Sequence, residues 1–484
     1  MLILTLPEIF FTGSRLNLLE MTDGELKSAL REGKIVVAVY GLGHVGLPLA
    51  CAWLRAGARV IGVTKTERTV SIINNGINPL EDEPSITPIV REYVSKGLFR
   101  ATTDGVEAMK LANLAVVAVP TKVKWDQTGK PLDLSALVEV TRTIGSGISR
   151  GKVVVVESTV PPGTTLNLVK PLLEETSGLK VEEDIGLAYS PERIMTGHAL
   201  QDIEESYPKI VAGVGPKSTG VIKALYEVIA KKGVIVLSSP TTAEFEKVAE
   251  GVYRDVNIAL ANELAKLSHK LGIDFEEIRK ATNSQPYCHL HKPGTGVGGG
   301  CIPIYPYFLM HVALSLSTEL PLTRVARLIN ESMPEYVAYL TLSALKKVSV
   351  DVKEAKVTIL GLAFRGGIAD TKLSPTYDLI NHLRSYGIDN IVIHDPYVKA
   401  DPRLGKLLYN DLEDSLKGSH VIIVATDHPE YFDLNVNWIK EKTGRDVIAI
   451  VDARCVMKID RSPQEGIVYV GVGRPWLIFK KGEE

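Results

Sequence analysis

The chain has 484 residues, with 55 Lys or Arg against 57 Asp or Glu, so its formal net charge is −2. This balance lacks the basic excess that nucleic-acid-binding proteins direct at phosphates, and we exclude that class. The four cysteines form no CxxC pair, which argues against a disulfide framework or a metal site. The apolar start MLILTLP is far shorter than a membrane span of about 20 residues. We therefore expect a cytoplasmic chain of about three domains with no membrane partner.

The first predicted elements follow residues 1–20, which differ from the rest and which we interpret as an extension with little role. Residues 22–34 predict a short helix, with Thr22 as N-cap and Glu25 at the capping-box position. The run 35–41 is β-branched and ends in glycine, which is typical of a strand buried on both faces of a parallel sheet. The next predictions are a helix at 47–56 and strands at 59–63, 114–120, 153–157 and 185–190.

The C-terminal part repeats this alternation of strands and helices. Its predicted elements are strands at 356–361, 391–395, 420–426 and 447–452 and a helix at 376–386. Between the two halves, residues 241–271 predict one long helix, whose apolar positions at helical spacing are Phe245, Val248, Val252, Val256, Leu260 and Leu264. We predict two Rossmann-like doubly wound α/β domains, joined by a central helical region with a long bridging helix. The expected boundaries are 1–34 (extension and short helix), 35–215 (first α/β domain), 216–345 (central helices) and 346–484 (second α/β domain).

A dinucleotide site is predicted where the first strand ends. Gly41, Gly43 and Gly46 form a GxGxxG motif that opens the first helix, where backbone N–H groups meet a pyrophosphate. The second strand ends at Thr64, followed by Lys65, where an acidic residue normally bonds the ribose. An acid there would repel a 2′-phosphate, whereas Thr64 and Lys65 would accept one. We expect NAD, and the missing acid leaves NADP open as an alternative.

Cys301 is the predicted nucleophile. It follows a loop with five glycines in the eight preceding positions, 293–300, which lets backbone and thiol approach a ligand closely.

At this point the chain resembles the UDP-glucose/GDP-mannose dehydrogenase family, and most closely its UDP-N-acetylmannosamine and UDP-N-acetylglucosamine 6-dehydrogenases. The resemblance covers about residues 35–475. It rests on motifs in this order: GLGHVGLPLA (41–50), VPT (119–121), ESTVPPGTT (157–165), SPER (190–193), TTAEFEKVAEGVYRDVNIALANELA (241–265), PGTGVGGGCIPIYPYFL (293–309) and ILGLAF (359–364). It implies two hydride transfers that turn a sugar C6 alcohol into a carboxylate, through a thiohemiacetal and a thioester on the cysteine. It also implies a homodimer or higher oligomer formed through the central helices.

The resemblance assigns roles to residues one by one. It makes Cys301 the nucleophile, Lys247 the cation that stabilises the alkoxide, Glu192 the general base of hydrolysis and Thr159 a water-holding residue. The cofactor contacts that it implies are Thr121 and Lys372. The implied substrate contacts are Arg254, Gly298, Gly299 and Arg365.

The chain departs from the family pattern beside this machinery. Gly251 stands where the family has an asparagine, Tyr305 where it has an aspartate, and Gly300 where this branch has a histidine. Losing one oxyanion donor typically costs about 10²–10³ in rate. We favour an active enzyme on UDP-N-acetylmannosamine or UDP-N-acetylglucosamine. UDP-glucose as substrate, a catalytically impaired binder of UDP-sugar and dinucleotide, and a two-electron hydroxyacid dehydrogenase remain the alternatives.

Overall fold

The protein is described by a computed structural model that covers residues 16–123, 132–458 and 465–479. Its strands, in chain order, are β1 (Val36–Tyr40), β2 (Arg59–Val63), β3 (Phe99–Thr102), β4 (Leu114–Val117), β5 (Lys122–Val123), β6 (Leu132–Asp133), β7 (Val153–Val156), β8 (Gly186–Tyr189), β9 (Lys209–Gly213), β10 (Val234–Val236), β11 (Lys356–Leu360), β12 (Asn390–His394), β13 (Leu408–Tyr409), β14 (Val421–Val424), β15 (Ile448–Asp452), β16 (Ile467–Gly471) and β17 (Arg474–Phe479).

The α-helices are α1 (Asp23–Arg31), α2 (Gly46–Arg55), α3 (Glu67–Asn74), α4 (Thr87–Ser95), α5 (Gly105–Leu111), α6 (Ser135–Gly147), α7 (Lys170–Ser177), α8 (Ala199–Gln201), α9 (Pro216–Ile229), α10 (Pro240–Leu271), α11 (Phe275–Thr282), α12 (Tyr305–Ser315), α13 (Pro321–Glu331), α14 (Met333–Lys347), α15 (Pro375–Ser385), α16 (Leu412–Leu416) and α17 (Val436–Thr443). Short 3₁₀ or π turns add Leu18–Glu20, Pro84–Ile86, Thr165–Val169, Asp202–Ser206, Val352–Glu354, Gly405–Leu407 and Pro429–Tyr431.

The chain divides into two compact units. The first comprises residues 1–250 and 307–317, and the second comprises residues 251–306 and 318–484. Each unit contains one large, mostly parallel sheet, so the predicted α/β class with two doubly wound halves and central helices is confirmed.

The first unit contains an eight-stranded sheet in the order β10-β9-β8-β7-β4-β1-β2-β3. Alternate β1 side chains enter different cores, since Val37 and Val39 pack with α2 and α9, whereas Val36, Ala38 and Tyr40 pack with residues of α5, α6 and α7. Burial on both faces explains why its strands are continuous aliphatic runs. All neighbours are parallel except β8 and β9, which are antiparallel. The predicted domain boundaries stay predictions, and the sheet itself continues beyond residue 215 to β10.

The second unit contains a seven-stranded sheet in the order β13-β12-β11-β14-β15-β16-β17. Its neighbours are parallel except β16 and β17, which form an antiparallel pair. The strand order reverses at β11, which lies between β12 and β14. In open α/β sheets, ligands bind beyond the strand ends at such a switch point. Most observed strand ends differ from the predicted ones by one to three residues, and the predicted terminal residues Gly41, Pro120, Glu157, Gly361 and Asp395 lie in the loops.

The N-terminal prediction needs a correction. Leu18 and Leu19 are buried in the first unit's core, and the Leu18 N–H donates to Gly151 O. Treating all of 1–20 as an extension with little role is therefore wrong for this stretch, while residues 1–15 lie outside the described residues. The predicted capping box is confirmed, since Thr22 Oγ1 accepts from the Glu25 N–H and the Thr22 N–H donates to Glu25.

Helix α10 has the predicted length but not a single buried apolar face. Val248 is buried, whereas Phe245 and Leu260 are 53% and 46% exposed. The buried positions include small residues such as Ala261 and Ala265, which allow close packing. Several large apolar side chains of α10 are therefore exposed to solvent in the single chain.

Candidate functional site

The glycine loop after β1 fits a dinucleotide. Gly41 has φ +95° and an added Cβ would lie 2.4 Å from Ala118 O, while a Cβ on Gly46 would overlap Gly41 O. Around Gly43 an added Cβ would meet nothing within 4 Å, so its backbone faces open space. No side chain caps the α2 N-terminus. The Leu47 N–H donates to Gly43 O and Pro48 has no N–H, so the pyrophosphate contacts that the motif predicts fall to the backbone of the glycine loop itself.

A carboxylate on α6 offsets the positive charge of Lys65, which follows β2. Lys65 Nζ lies 2.5 Å from Glu139 Oε2, and both side chains are largely exposed. The Thr64 N–H donates to Thr102 O on the neighbouring strand end. Because Glu139 offsets the lysine, the attraction of this edge for a 2′-phosphate is weakened. The arrangement therefore favours NAD over the NADP alternative.

Two predicted site residues meet where neighbouring parallel strands end. Thr121 follows β4 and Thr159 follows β7, and the Thr121 hydroxyl donates to Thr159 O over 2.7 Å. Ser158 Oγ accepts from the Val119 N–H and donates to Val119 O. These bonds join the two loops at the carboxyl edge of the sheet, the edge at which ligands bind in this architecture.

Glu192 follows β8 at the same edge and belongs to a buried ionic cluster, the Lys209 cluster, which comprises Glu157, Glu192, Lys209 and Tyr226. Lys209 Nζ lies 2.5 Å from Glu192 Oε2 and 2.8 Å from Glu157 Oε2. Glu192 Oε1 also accepts from the Arg193 N–H, and the Tyr226 hydroxyl donates to Glu157. Burial, opposed by Lys209, raises the pKa of Glu157 to about 7.

Lys247 lies in α10 and is only 8% exposed. A structural lysine without a function would ordinarily keep its ammonium in water, so this burial argues against the solvated alternative. The nearby Glu244 carboxylate accepts from the N–H groups of Gly163 and Thr165, which anchors α10 to the loop that begins with Thr159.

Cys301 lies in the second unit and is exposed. Its glycine loop packs closely against the segment after β11: the Gly299 N–H donates to Lys372 O, and a Cβ on Gly298 would lie 2.6 Å from Phe364 Cβ. Lys372 Nζ lies 2.6 Å from the position of a Cβ on Gly300. The glycines are needed for this approach, and Lys372, predicted as a cofactor contact, carries its charge beside the residue that precedes the nucleophile.

Gly251 and Tyr305, the two main departures from the family pattern, contact each other. A Cβ on Gly251 would lie 2.4 Å from Tyr305 Cδ2. Tyr305 is buried, and its N–H donates to Cys301 O. The tyrosine ring therefore occupies space that a side chain at position 251 would need.

Arg254 and Arg365 form a pair of cations in the second unit that can bind an anion. Burial and the charge of Arg254 lower the pKa of Arg365, and Asp427 opposes them. Asp427 Oδ2 is itself 2.9 Å from Arg454 Nη2. A bound phosphate would relieve the repulsion between Arg254 and Arg365, and their role as substrate contacts stays a prediction.

Three family models match the chain in order. They are described as the NAD binding, central and UDP binding domains of the UDP-glucose/GDP-mannose dehydrogenase family, and they match residues 35–230, 241–332 and 358–459. The chain belongs to the UDP-glucose/GDP-mannose dehydrogenase family. The first sheet thus carries the family's NAD binding domain and the second its UDP binding domain.

Relatives within this family extend over nearly the whole chain. The UDP-N-acetyl-D-mannosamine dehydrogenase of Pyrococcus horikoshii is 36% identical over 90% of this chain and 99% of its own length. A solved structure of UDP-D-ManNAc dehydrogenase from Pyrococcus horikoshii has a TM-score of 0.83 at 35% identity, covering 91% and 99% of the two chains. The structure of a UDP-glucose dehydrogenase from Pyrobaculum islandicum has a TM-score of 0.78 at 26% identity, covering 91% of this chain and 98% of its own.

The sequence comparison with the family pattern missed Lys209 and Glu157. The available signal was an acid ending the otherwise aliphatic strand before Thr159, and a lysine that opens β9.

Across residues 16–123, 132–458 and 465–479, no cluster of three or more potential ligands could hold a metal ion. In the same ranges, no helix combines the length and apolarity needed to cross a bilayer.

Proposed function

We propose that this family member oxidises the C6 alcohol of a UDP-N-acetylhexosamine, UDP-N-acetylmannosamine or UDP-N-acetylglucosamine, to the uronate with two equivalents of NAD. The observation that carries this proposal is the exposed Cys301 at the end of a glycine loop that packs on the UDP binding domain. A two-electron dehydrogenase has no use for such a thiol. The substrate assignment is supported by the similarity to UDP-N-acetyl-D-mannosamine dehydrogenases.

The residues divide the chemistry between them. The loop of Gly41, Gly43 and Gly46 would hold NAD, which would supply the hydride acceptor for each of the two oxidations. Lys247 stabilises the developing alkoxide, and the Cys301 thiolate adds to the aldehyde to give a thiohemiacetal. The second oxidation makes the thioester. Thr159 holds a water molecule and Glu192 accepts its proton as the oxygen attacks, the C–S bond breaks and the thiolate leaves.

Substrate binding rests on the second unit. Arg254 and Arg365 supply charge for the diphosphate, and the Gly298–Gly299 backbone lets the sugar approach the thiol closely. We place the reaction in the cytoplasm, because the nucleophile must stay reduced between turnovers.

The test is the stoichiometry of cofactor reduction. Purified protein is incubated with UDP-N-acetylmannosamine, UDP-N-acetylglucosamine or UDP-glucose, together with NAD, and reduced cofactor and uronate are counted. Two reduced cofactors per uronate, lost in Cys301→Ser, support the proposal. Full activity in Cys301→Ser would instead indicate the hydroxyacid-type reaction. Tight binding of UDP-sugar and NAD with no reduction would indicate the impaired binder.

We further propose that the chain forms a homo-oligomer through the central helices. Along α10 the exposed Tyr253, Leu260 and Leu267 recur at heptad spacing, and α13 exposes Leu322 and Leu328. Apolar side chains grouped in this way mark protein interfaces.

The test of this interface is the oligomeric state in solution. Leu260→Glu should shift the sedimentation coefficient to that of the monomer. Ile478→Glu, at an exposed position on β17, is the control and should leave the assembly intact. A monomeric wild-type protein would overturn the proposal.

A further inference from the structure

Lys209 is a buried cation that none of the predicted steps uses. It opens β9, and its side chain is 5% exposed. The antiparallel register of β8 and β9, which pairs Tyr189 with Ala212, places position 192 opposite position 209. The lysine therefore reaches Glu192 across the end of the sheet. It also reaches Glu157, which follows the next strand, β7.

The cluster has one cation for two carboxylates, all removed from water. Removing one partner of a buried ion pair is strongly destabilising because it leaves an uncompensated charge, so both glutamates depend on Lys209. Burial opposes the charged ammonium, but Glu157 and Glu192 outweigh it and raise the pKa of Lys209. The Tyr226 hydroxyl donates a second hydrogen bond to Glu157. Glu157 therefore does not depend on Lys209 alone, and the ammonium can also bind Glu192.

The contacts of Glu192 also fix its direction. One oxygen accepts from the Arg193 N–H over 2.7 Å, and the other receives Lys209 Nζ over 2.5 Å. Each carboxylate oxygen has two acceptor positions, so both retain one for a water molecule. A carboxylate clamped at both oxygens accepts a proton in one geometry only, which is the preorganisation that general base catalysis needs.

We propose that Lys209 is the positioning residue of thioester hydrolysis, holding the Glu192 carboxylate in the orientation in which it accepts the proton of the attacking water. This inference rests on the proposed function. In the step, the water oxygen bonds to the thioester carbon, one water proton passes to Glu192, and the C–S electron pair leaves with Cys301. Glu157 shares Lys209 and balances its charge.

The test compares Lys209→Met with Lys209→Arg, using Lys152→Met as the matched control. Lys152 is also a buried lysine of the first unit, but its ammonium donates to the backbone carbonyls Met109 O and Lys110 O. Rapid-mixing kinetics follow cofactor reduction, and mass spectrometry of the acid-quenched enzyme detects an acyl group on Cys301. We expect Lys209→Met to give a burst of two reduced cofactors per site, a steady-state kcat about 10²–10⁴-fold lower and a trapped acyl-enzyme.

Lys209→Arg should restore turnover and abolish the accumulation, and Lys152→Met should show no acyl-enzyme. If Lys209→Met does not fold, the charge-compensated Lys209→Met/Glu157→Gln variant takes its place, with the same expected burst. Wild-type kcat in this variant, or a lower kcat without burst and acyl-enzyme, overturns the role of Lys209. Failure of the proposed function is distinguishable, because wild-type enzyme would then not reduce two cofactors per sugar.

Discussion

A Cβ atom on Gly251 would lie 2.4 Å from Cδ2 of Tyr305, far inside the ~3.5–4.0 Å contact distance of two carbon atoms. The two positions are thus sterically coupled, and a family-like side chain at 251 does not fit beside this tyrosine. Two departures that look independent in the sequence form one packing unit.

Gly251→Ala should therefore destabilise the protein. Glycine to alanine in a helix normally gains about 0.5–1 kcal/mol, but overpacking against Tyr305 costs about 1–3 kcal/mol. Gly220 in α9 is the control, because a Cβ there meets nothing within 4 Å. Urea unfolding should show Gly251→Ala less stable and Gly220→Ala more stable than wild type. Equal stabilisation by both would refute the coupling, and Gly251→Asn should be better tolerated together with Tyr305→Asp.

The ion pair at the end of β2 bears on cofactor choice. Glu139→Gln removes the partner of Lys65. We expect the ratio of kcat/KM for NADP to that for NAD to rise about 1.5- to 5-fold, corresponding to the ~0.2–1 kcal/mol of an exposed pair. Glu92→Gln, which removes a similarly exposed pair with Lys96, should leave the ratio unchanged. A ratio unaffected by Glu139→Gln would mean that Lys65 does not face the ribose.

Glu244 makes stability depend on pH. Burial, opposed by hydrogen bonds from Thr165 and Gly163, raises the pKa of Glu244 to about 7. The folded state therefore binds more protons than the unfolded state between about pH 4 and 7, and the free energy of unfolding falls as pH rises through this window. From pH 5 to 7.5, wild type should lose about 2 kcal/mol more than Glu244→Gln. Glu175→Gln changes an exposed carboxylate and should show the same dependence of the unfolding free energy on pH as wild type. If wild type and Glu244→Gln lose stability in parallel as pH rises, Glu244 is not the source of the pH dependence.

Arg365 should control nucleotide affinity. Arg365→Met removes a cation expected on the diphosphate, and a charge-assisted hydrogen bond contributes about 1.5–3 kcal/mol. Calorimetric titration with UDP should show Kd rising about 10- to 100-fold. Arg384→Met, at an exposed position on α15, is the control and should bind like wild type. An unchanged Kd for Arg365→Met would remove this residue from the site.

The regular elements were predictable because aliphatic runs and glycine ends are local signals. The residues 35–41 and 356–361 each predict a buried strand that ends in a turn, and β1 and β11 lie there. The exposed Phe245 was not predictable from helical spacing, since spacing shows that residues share a face but not what covers it.

The site was predictable only as far as motifs reach. Cys301 and Glu192 lie in recognisable segments, whereas the contact of Lys209 with Glu192 depends on which strands are neighbours and in which direction they run. Likewise, the fit of Tyr305 against Gly251 joins positions far apart in sequence, and single-sequence patterns carry no signal for it.

The antiparallel pair of β8 and β9 has an evolutionary consequence. Successive side chains of a strand point to opposite faces, so slipping β9 by one residue would replace Lys209 by Ile210 opposite Glu192. Insertions in the connection from 194 to 208 leave that pairing intact, whereas a single deletion within either strand would leave two acids facing each other without a cation. Length variation among homologues should therefore be concentrated in the connection and absent from the strands.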